Sequence, residues 1–204
     1  MVVGLACGVV LMLEQGKELE VAMRHAFFNV ISIMTTTGYA NDDFAKWPLF
    51  LQVILLNLMV IGGMAGSTAG GIKVVRLVMV WELFKAILDR LISPRRIIVP
   101  KYAGVAIAPE VMEGSLIMVV VFLFVMLLSV IVLAAVGLDF TTAYSASLAC
   151  IANVGPGIAK VGPVENYAFV PDVGKLLLTV TMIAGRLELF TVLILFFPRF
   201  WRGV

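Results

Sequence analysis

The chain contains two copies of one hydropathy pattern, and this repetition constrains its fold more than any other feature. In each copy an apolar segment is followed by a short apolar stretch, a glycine-centred segment and a further apolar segment. The short stretches are residues 21–34 and 138–151, and superimposing them places Gly38 on Gly155. Stretches of about 15 residues are too short to cross a bilayer as helices. The order therefore predicts helix, half-helix with an extended tip, and helix, which brings backbone into a membrane without exposing it to lipid.

The composition excludes an ordinary soluble domain. The chain is 62% hydrophobic and 14% charged, and its mean hydropathy is +1.09. Residues 115–136 carry no charge and are long enough to span a bilayer, and residues 47–65 and 175–197 are further candidate spans. Residues 1–13 are interpreted as the end of a spanning helix whose beginning is missing. We expect an all-α membrane protein that is not an enzyme.

The distribution of charge predicts the orientation. Seven basic and only two acidic residues lie between Lys73 and Lys101. A basic excess is typical of cytoplasmic loops, so it needs no nucleic-acid partner, and both tips should be approached from the outer side. The sequence divides into a repeat at residues 1–92, a cytoplasmic linker at 93–112 and a second repeat at 113–204. Trp47 is expected to begin a descending helix, with its indole at the membrane interface.

The two glycine-centred segments, residues 35–40 (the first tip) and 152–157 (the second tip), have the chemistry of a cation path. A permeating cation must exchange water oxygens for protein oxygens, and closely spaced backbone carbonyls supply them. Gly38 and Gly155 lack a Cβ, which allows neighbouring carbonyls to face the path. Each half-helix also directs the negative end of its dipole at the tip, which favours a cation.

Residues 62–71, the glycine loop, hold five glycines in ten residues at predicted membrane depth. Such a segment is a poor helix, and we interpret it as a flexible barrier beneath the tips. A glycine kink for close helix packing is the alternative. A phosphate-binding loop is excluded because Ile72 stands where that motif requires lysine.

Arg186 is a permanent charge inside the last apolar segment, which is costly and rarely accidental. We expect it to face the central cavity or the carbonyls of the glycine loop, as a positive barrier to cations. A structural arginine that snorkels or pairs within the bundle is the alternative. Lys73 either flanks the membrane as a positive-inside residue or begins a cytoplasmic helix whose motion displaces the loop.

Five segments together resemble the Trk/Ktr family of potassium-uptake membrane proteins, and its Trk branch in particular. They are residues 35–39, 62–73, 153–157, 185–191 and 197–202. Members of that family have four helix–pore–helix repeats around one pseudo-fourfold pore, and this chain resembles the third and fourth repeats.

The resemblance assigns roles to individual residues. It implies that potassium is bound by a third filter segment, Thr36, Thr37, Gly38 and Tyr39, and by a fourth, Asn153, Val154, Gly155 and Pro156. It implies an intramembrane gate formed by Gly62, Gly63, Gly66, Ser67, Thr68, Gly70, Gly71, Lys73 and Arg186.

The resemblance also implies partners and a location. The partners are membrane lipid, an N-terminal half with two further repeats, a second copy in a homodimer, and a cytoplasmic ring of nucleotide-binding Rossmann subunits. The expected location is the bacterial inner (cytoplasmic) membrane, as a multi-pass protein. Potassium is then the only ligand, with no covalent cofactor. Three alternatives stay open: a transporter of sodium or another monovalent cation, a secondary transporter with broken helices, and a membrane scaffold that transports nothing.

Overall fold

The structure is a computed structural model that describes residues 1–93, 100–102, 104–187, 194 and 198–201. These ranges are mostly helical, as expected. The longer helices are α1 (Val2–Gln15), α2 (Leu19–Met34), α3 (Leu49–Val60), α4 (Val74–Ile92), α5 (Pro109–Ala135), α6 (Phe140–Ile151) and α7 (Asp172–Arg186). The short elements are 3-10 turns at Phe44–Lys46 and Ala159–Val161, the hairpin β1 (Lys101–Tyr102) and β2 (Val105–Ala106), in which Lys101 pairs with Ala106, and the one-turn helix α8 (Pro198–Trp201).

Two short helices occupy the predicted half-helix positions. α2 ends at Met34, directly before the first tip. α6 begins at Phe140, two residues later than the repeat pattern indicates, because the Asp139 carboxylate caps the helix by accepting the backbone N–H of Thr142 at 3.0 Å. It ends at Ile151, directly before the second tip.

Within the described ranges, α5 alone is both long and apolar enough to cross a membrane, and α1, α3 and α6 are shorter apolar helices. α5 begins at Pro109, where proline fits the first helical turn. α7 ends at Arg186. Of the remainder of the predicted last span, only residues 187 and 194 are described, and Glu188 lies outside the described residues.

Small side chains allow the half-helices to pack deep inside the bundle. Gly4 and Gly8 of α1 lie directly against Phe27 and Met23 of α2, where an added Cβ would crowd those side chains. α6 is buried around almost its whole circumference, and Tyr144 is the exception from Thr142 onward. Such close backbone approach is typical of helix packing in membranes. It fixes the ends of α2 and α6, from which the tips extend.

The expectation that Trp47 begins the descending helix is wrong. Its side chain is only 3% exposed, and the helix starts two residues later, after Pro48. The Trp47 indole packs edge-on against Phe44, with ring centroids 6.4 Å apart, and its Nε1–H donates to Asp42 Oδ2 at 2.9 Å. A partner for the indole N–H inside the protein explains why this tryptophan is buried within the fold.

Candidate functional site: two tips and the glycine loop

The two tips leave their half-helices through the same hydrogen-bond pattern. In the first tip, the N–H groups of residues 35, 36 and 37 donate to carbonyls of α2 at 2.9, 3.0 and 2.8 Å. In the second, those of residues 152, 153 and 154 donate to the corresponding carbonyls of α6 at 2.9, 3.1 and 2.9 Å. Each donor and acceptor in one tip is 117 positions from its counterpart, the same offset that places Gly38 on Gly155.

Both tips also reverse direction through left-handed residues at matching positions. Thr36 has φ 53° and Gly38 has φ 77°, while Asn153 has φ 56° and Gly155 has φ 103°. The predicted extended chain is therefore interrupted by two left-handed residues in each tip. A β-branched residue such as Thr36 seldom adopts this conformation, and strained backbone of this kind is concentrated at functional sites.

The tips meet each other. A Cβ added to Gly38 would overlap the carbonyl oxygen of Val154 and press on the ring of Pro156. Val154 is itself buried, so its carbonyl is held against the first tip from within the core. Glycine is required at position 38 because another backbone occupies the space that a side chain would take.

Side chains secure the remaining predicted filter residues. The Ser32 hydroxyl donates to the Tyr39 carbonyl at 2.5 Å, whereas the Tyr39 ring is 74% exposed. The hydroxyls of Thr35 and Thr37 are 2.8 Å apart. In the second tip, Asn153 Nδ2 donates to the Met182 carbonyl of α7 at 3.2 Å.

The glycine loop is closed at its neck by backbone hydrogen bonds. The Gly62 N–H donates to the Ile72 carbonyl at 2.6 Å, and the Ile72 N–H donates to the Val60 carbonyl at 2.9 Å. The Val74 N–H, in the first turn of α4, donates to the Gly63 carbonyl at 3.2 Å. These bonds join the end of α3 to the start of α4, for which Lys73 is the N-cap residue.

The body of the loop is irregular, as its composition predicts. Gly66 and Gly71 have φ values of 81° and 70°, and Gly66 has no neighbouring atom within 4 Å of an added Cβ. The Ala69 N–H donates to the Ser67 hydroxyl oxygen at 3.1 Å. The apex is thus exposed and held by its own short-range bonds.

The loop lies directly against the two tips. The Gly70 N–H donates to Thr36 Oγ1 at 3.2 Å. A Cβ added to Gly70 would overlap the Ala152 carbonyl oxygen and press on the Asn153 side chain. Gly70 of the loop therefore touches both tips.

Arg186 reaches the same loop from α7. Its Nη1 donates to the Thr68 carbonyl at 2.6 Å. The preceding Gly185 packs against the end of α6, where an added Cβ would overlap the Ile151 carbonyl oxygen. A cavity of about 160 Å³ lies beside this contact, lined by Ser67, Thr68, Ala69, Gly71, Lys73, Arg76, Met118, Gly185 and Arg186. Predicted gate residues of the loop thus lie around one cavity together with Lys73 and Arg186.

The pKa values of two carboxylates, Asp42 after the first tip and Asp139 before α6, are lowered. Partial burial by itself raises the pKa of Asp42, but the hydrogen bonds from Lys17 and Trp47 outweigh it and leave that pKa below its ordinary value. The Lys17 ammonium is 2.5 Å from the Asp42 carboxylate. At Asp139, the backbone N–H of Thr142 lowers the pKa in the same direction.

Sequence reasoning missed the hydroxyls that hold the tips. Tyr167 lies in the segment between the second tip and α7, and its hydroxyl donates to the Gly155 carbonyl at 2.7 Å. Ser145 of α6 donates to the Ile158 carbonyl at 2.9 Å. No spacing in the sequence links these residues to the tips, because each contact depends on how the segment between the second tip and α7 folds back.

Known proteins share this sequence and this fold. The profile of the TrkH family, described as cation transport protein, matches residues 3–202. The Trk system potassium uptake protein TrkI of Halomonas elongata is 40% identical over 193 residues, which cover 92% of this chain and 38% of that protein. TrkH of Salmonella typhimurium is 38% identical over 180 residues, covering 88% and 37%.

The fold agrees equally well with an experimental structure. The crystal structure of the potassium transporter TrkH from Vibrio parahaemolyticus matches with a TM-score of 0.89 and 37% identity, over 98% of this chain and 42% of that chain. The helical fold with its two matched tips is therefore that of a membrane protein of the cation-transport class. The chain is a member of the TrkH family, which confirms the resemblance seen in the sequence. It spans well under half the length of these relatives, and the relatives' names point to transport and not to catalysis.

Proposed function

We propose that this chain supplies two of the pore-lining segments of a potassium-uptake protein in the cytoplasmic membrane. In this proposal the tips are the third and fourth filter segments and the glycine loop is the gate. The observation that carries it is a single meeting point: the loop binds Thr36 of the first tip through Gly70 and binds Arg186 of α7 through Thr68.

The matched tips support a repeated architecture. The same hydrogen bonds and the same left-handed positions recur 117 residues apart, which is expected if residues 1–92 and 113–204 are equivalent repeats. Two tips enclose only part of a pore. A pseudo-fourfold pore needs two more, which an N-terminal half would contribute.

The chemistry of the tips suits a dehydrated monovalent cation. Backbone carbonyls of the two tips replace water oxygens, apart from those of Tyr39 and Gly155, which accept side-chain hydrogen bonds. The carboxyl ends of α2 and α6 add negative potential at the same place. Val154 presents its carbonyl to the first tip, as a filter segment facing a shared axis would. Potassium is the transported ion, and sodium is the alternative.

The glycine loop and Arg186 together oppose the passage of ions. The loop obstructs the path sterically, and the positive charge of the Arg186 guanidinium repels cations. The hydrogen bond between Val74 and Gly63 couples the loop to α4, so movement of α4 displaces the loop. A cytoplasmic nucleotide-binding subunit acting on a homodimer would have this lever available.

The test uses the complete protein, with all of its repeats, reconstituted in liposomes. We expect the wild type to show potassium flux down its gradient and little sodium flux. Gly38→Ser or Gly155→Ser should remove this distinction between the two ions. Sodium flux of equal size would favour the alternative cation. Flux that requires a second, coupled substrate would favour a secondary transporter, and no flux in correctly folded protein would leave only a scaffold.

A further inference from the structure

The second tip is braced by a tyrosine that lies outside both tips and the glycine loop. The Tyr167 hydroxyl donates to the Gly155 carbonyl at 2.7 Å, and it reaches there from the outer segment that connects the second tip to α7. An apolar cavity of about 210 Å³ lies behind this contact, lined by Cys150, Gly155, Tyr167, Lys175, Leu178, Thr179 and Met182. The Gly155 carbonyl therefore points toward α7, whereas the Val154 carbonyl points toward the first tip.

Other contacts leave the Gly155 peptide group loosely fixed. Gly155 has φ 103°, and no atom lies within 4 Å of the place where a Cβ would be, so packing does not restrict it. The Gly155 carbonyl belongs to the peptide bond with Pro156, which has no N–H that could form a second hydrogen bond. Because glycine tolerates many backbone conformations, a peptide group here rotates easily unless its oxygen is held.

The first tip is held differently. The carbonyl that follows Gly38 accepts the Ser32 hydroxyl from α2 itself, and Gly38 is packed against the Val154 carbonyl. The positions that correspond to Ser32 and Tyr39 in the second tip are Ala149, which has no hydroxyl, and Pro156, so the second tip lacks this bond. The second tip thus depends on a donor from a different part of the chain.

We propose that Tyr167 is a positioning residue that holds the Gly155 carbonyl in one orientation and thereby sets how well the second tip distinguishes potassium from sodium. This inference rests on the proposed role of the tips as filter segments. With the hydroxyl in place, the Gly155 carbonyl stays turned away from the first tip, and the Val154 carbonyl before it stays against Gly38. Without it, the Gly155 peptide samples other orientations, and the spacing of oxygens around the ion is no longer fixed.

Tyr167→Phe in the complete protein removes only the hydroxyl. Tyr144→Phe is the matched control: Tyr144 lies on α6, is partly buried, and stacks on Phe140 with ring centroids 6.0 Å apart. Uptake of rubidium, as a potassium analogue, and its competition by sodium are measured in liposomes, together with the melting temperature. Because Tyr167→Phe removes one hydrogen bond from the second tip, potassium-over-sodium discrimination should fall by roughly two- to tenfold in Tyr167→Phe and remain unchanged in Tyr144→Phe.

The outcomes separate this inference from the assignment of the filter. Unchanged discrimination in Tyr167→Phe, alongside a loss in Gly155→Ser, overturns the role of Tyr167 and leaves the filter standing. Unchanged discrimination in both variants overturns the filter assignment itself. A lower melting temperature or lower total flux in Tyr167→Phe with intact discrimination would show that this tyrosine is purely structural. An equal loss of discrimination in Tyr144→Phe would show a general effect of removing a tyrosine hydroxyl. Either result also overturns the proposal.

Discussion

Arg186 Nη1 donates a hydrogen bond to the carbonyl oxygen of Thr68 at 2.6 Å, although the two residues are 118 positions apart in the chain. The bond links the end of α7 to the body of the glycine loop. The same loop is tied to the first tip through Gly70 and to α4 through Gly63. A segment too rich in glycine to be rigid by itself is therefore held by three separate elements.

Removing the arginine should release the loop. In the complete protein, Arg186→Ala eliminates both the bond to Thr68 and a fixed positive charge, so ion flux without a cytoplasmic partner should rise several-fold. Arg90→Ala, which removes a positive charge from the exposed end of α4, is the control and should leave flux unchanged. Flux is measured in liposomes after confirming that each variant is folded. A folded Arg186→Ala protein with wild-type or lower flux would show that this residue is no barrier.

Shortening the loop tests the steric part of the same barrier. Deleting Met64–Gly66 removes the exposed apex and leaves the hydrogen bonds of the neck between residues 60 and 74 available. We expect higher flux than in the wild type, because the shorter loop covers less of the path. The loop is not the obstruction if flux through the folded deletion variant does not increase.

The tip glycines should differ in their sensitivity to alanine. A left-handed non-glycine residue costs about 1–2 kcal/mol, and this applies to Gly38 and Gly155 alike. At Gly38 the new Cβ would also overlap the Val154 carbonyl, whereas at Gly155 it would meet open space. Gly38→Ala should therefore lower stability and ion discrimination more than Gly155→Ala.

Gly16 provides the matched control for this comparison. It has φ 62°, ends α1, and has no atom within 4 Å of an added Cβ. Gly16→Ala should cost stability through backbone strain alone and leave ion discrimination intact. Equal effects of alanine at positions 38 and 16 would contradict the steric argument.

The carboxylate of Asp42 should stabilise the outer side in a pH-dependent way. Its pKa is lowered, so its contribution is complete above the ordinary value of 3.8 and is lost as the pH falls through the still lower folded-state pKa. Acidification from about pH 7 to about pH 5 should then leave this contribution unchanged. Asp42→Asn should reduce the unfolding free energy by about 1 kcal/mol at neutral pH and remove the dependence at acid pH. The melting temperatures of the detergent-solubilised wild type and Asp42→Asn are compared from about pH 7 to about pH 3. A difference between them that already shrinks by about pH 5 would contradict the lowered pKa.

The sequence predicted those features that periodicity and composition encode. Half-helices ending at Met34 and Ile151, and an irregular loop at residues 62–71, follow from hydrophobic length and glycine content, which act locally. The buried Trp47 could not be predicted, because its partner Asp42 is presented by a turn. The bond from Tyr167 to Gly155 likewise depends on an outer segment whose path no local pattern records.

The orientation of the chain can be tested by labelling with a thiol reagent that does not cross membranes. Glu165 is exposed between the second tip and α7, and Lys101 is exposed in the hairpin between α4 and α5. Because the basic excess lies at the α4–α5 connection, Lys101→Cys should be labelled only from the cytoplasm and Glu165→Cys only from outside. The native Cys7 and Cys150 are both buried, so the unmodified protein should give a low background and serve as the control. Labelling of Lys101→Cys from outside intact cells would show that the bundle has the opposite orientation, with the tips on the cytoplasmic side. It would also remove the basis for treating α4 as the lever between a cytoplasmic subunit and the glycine loop.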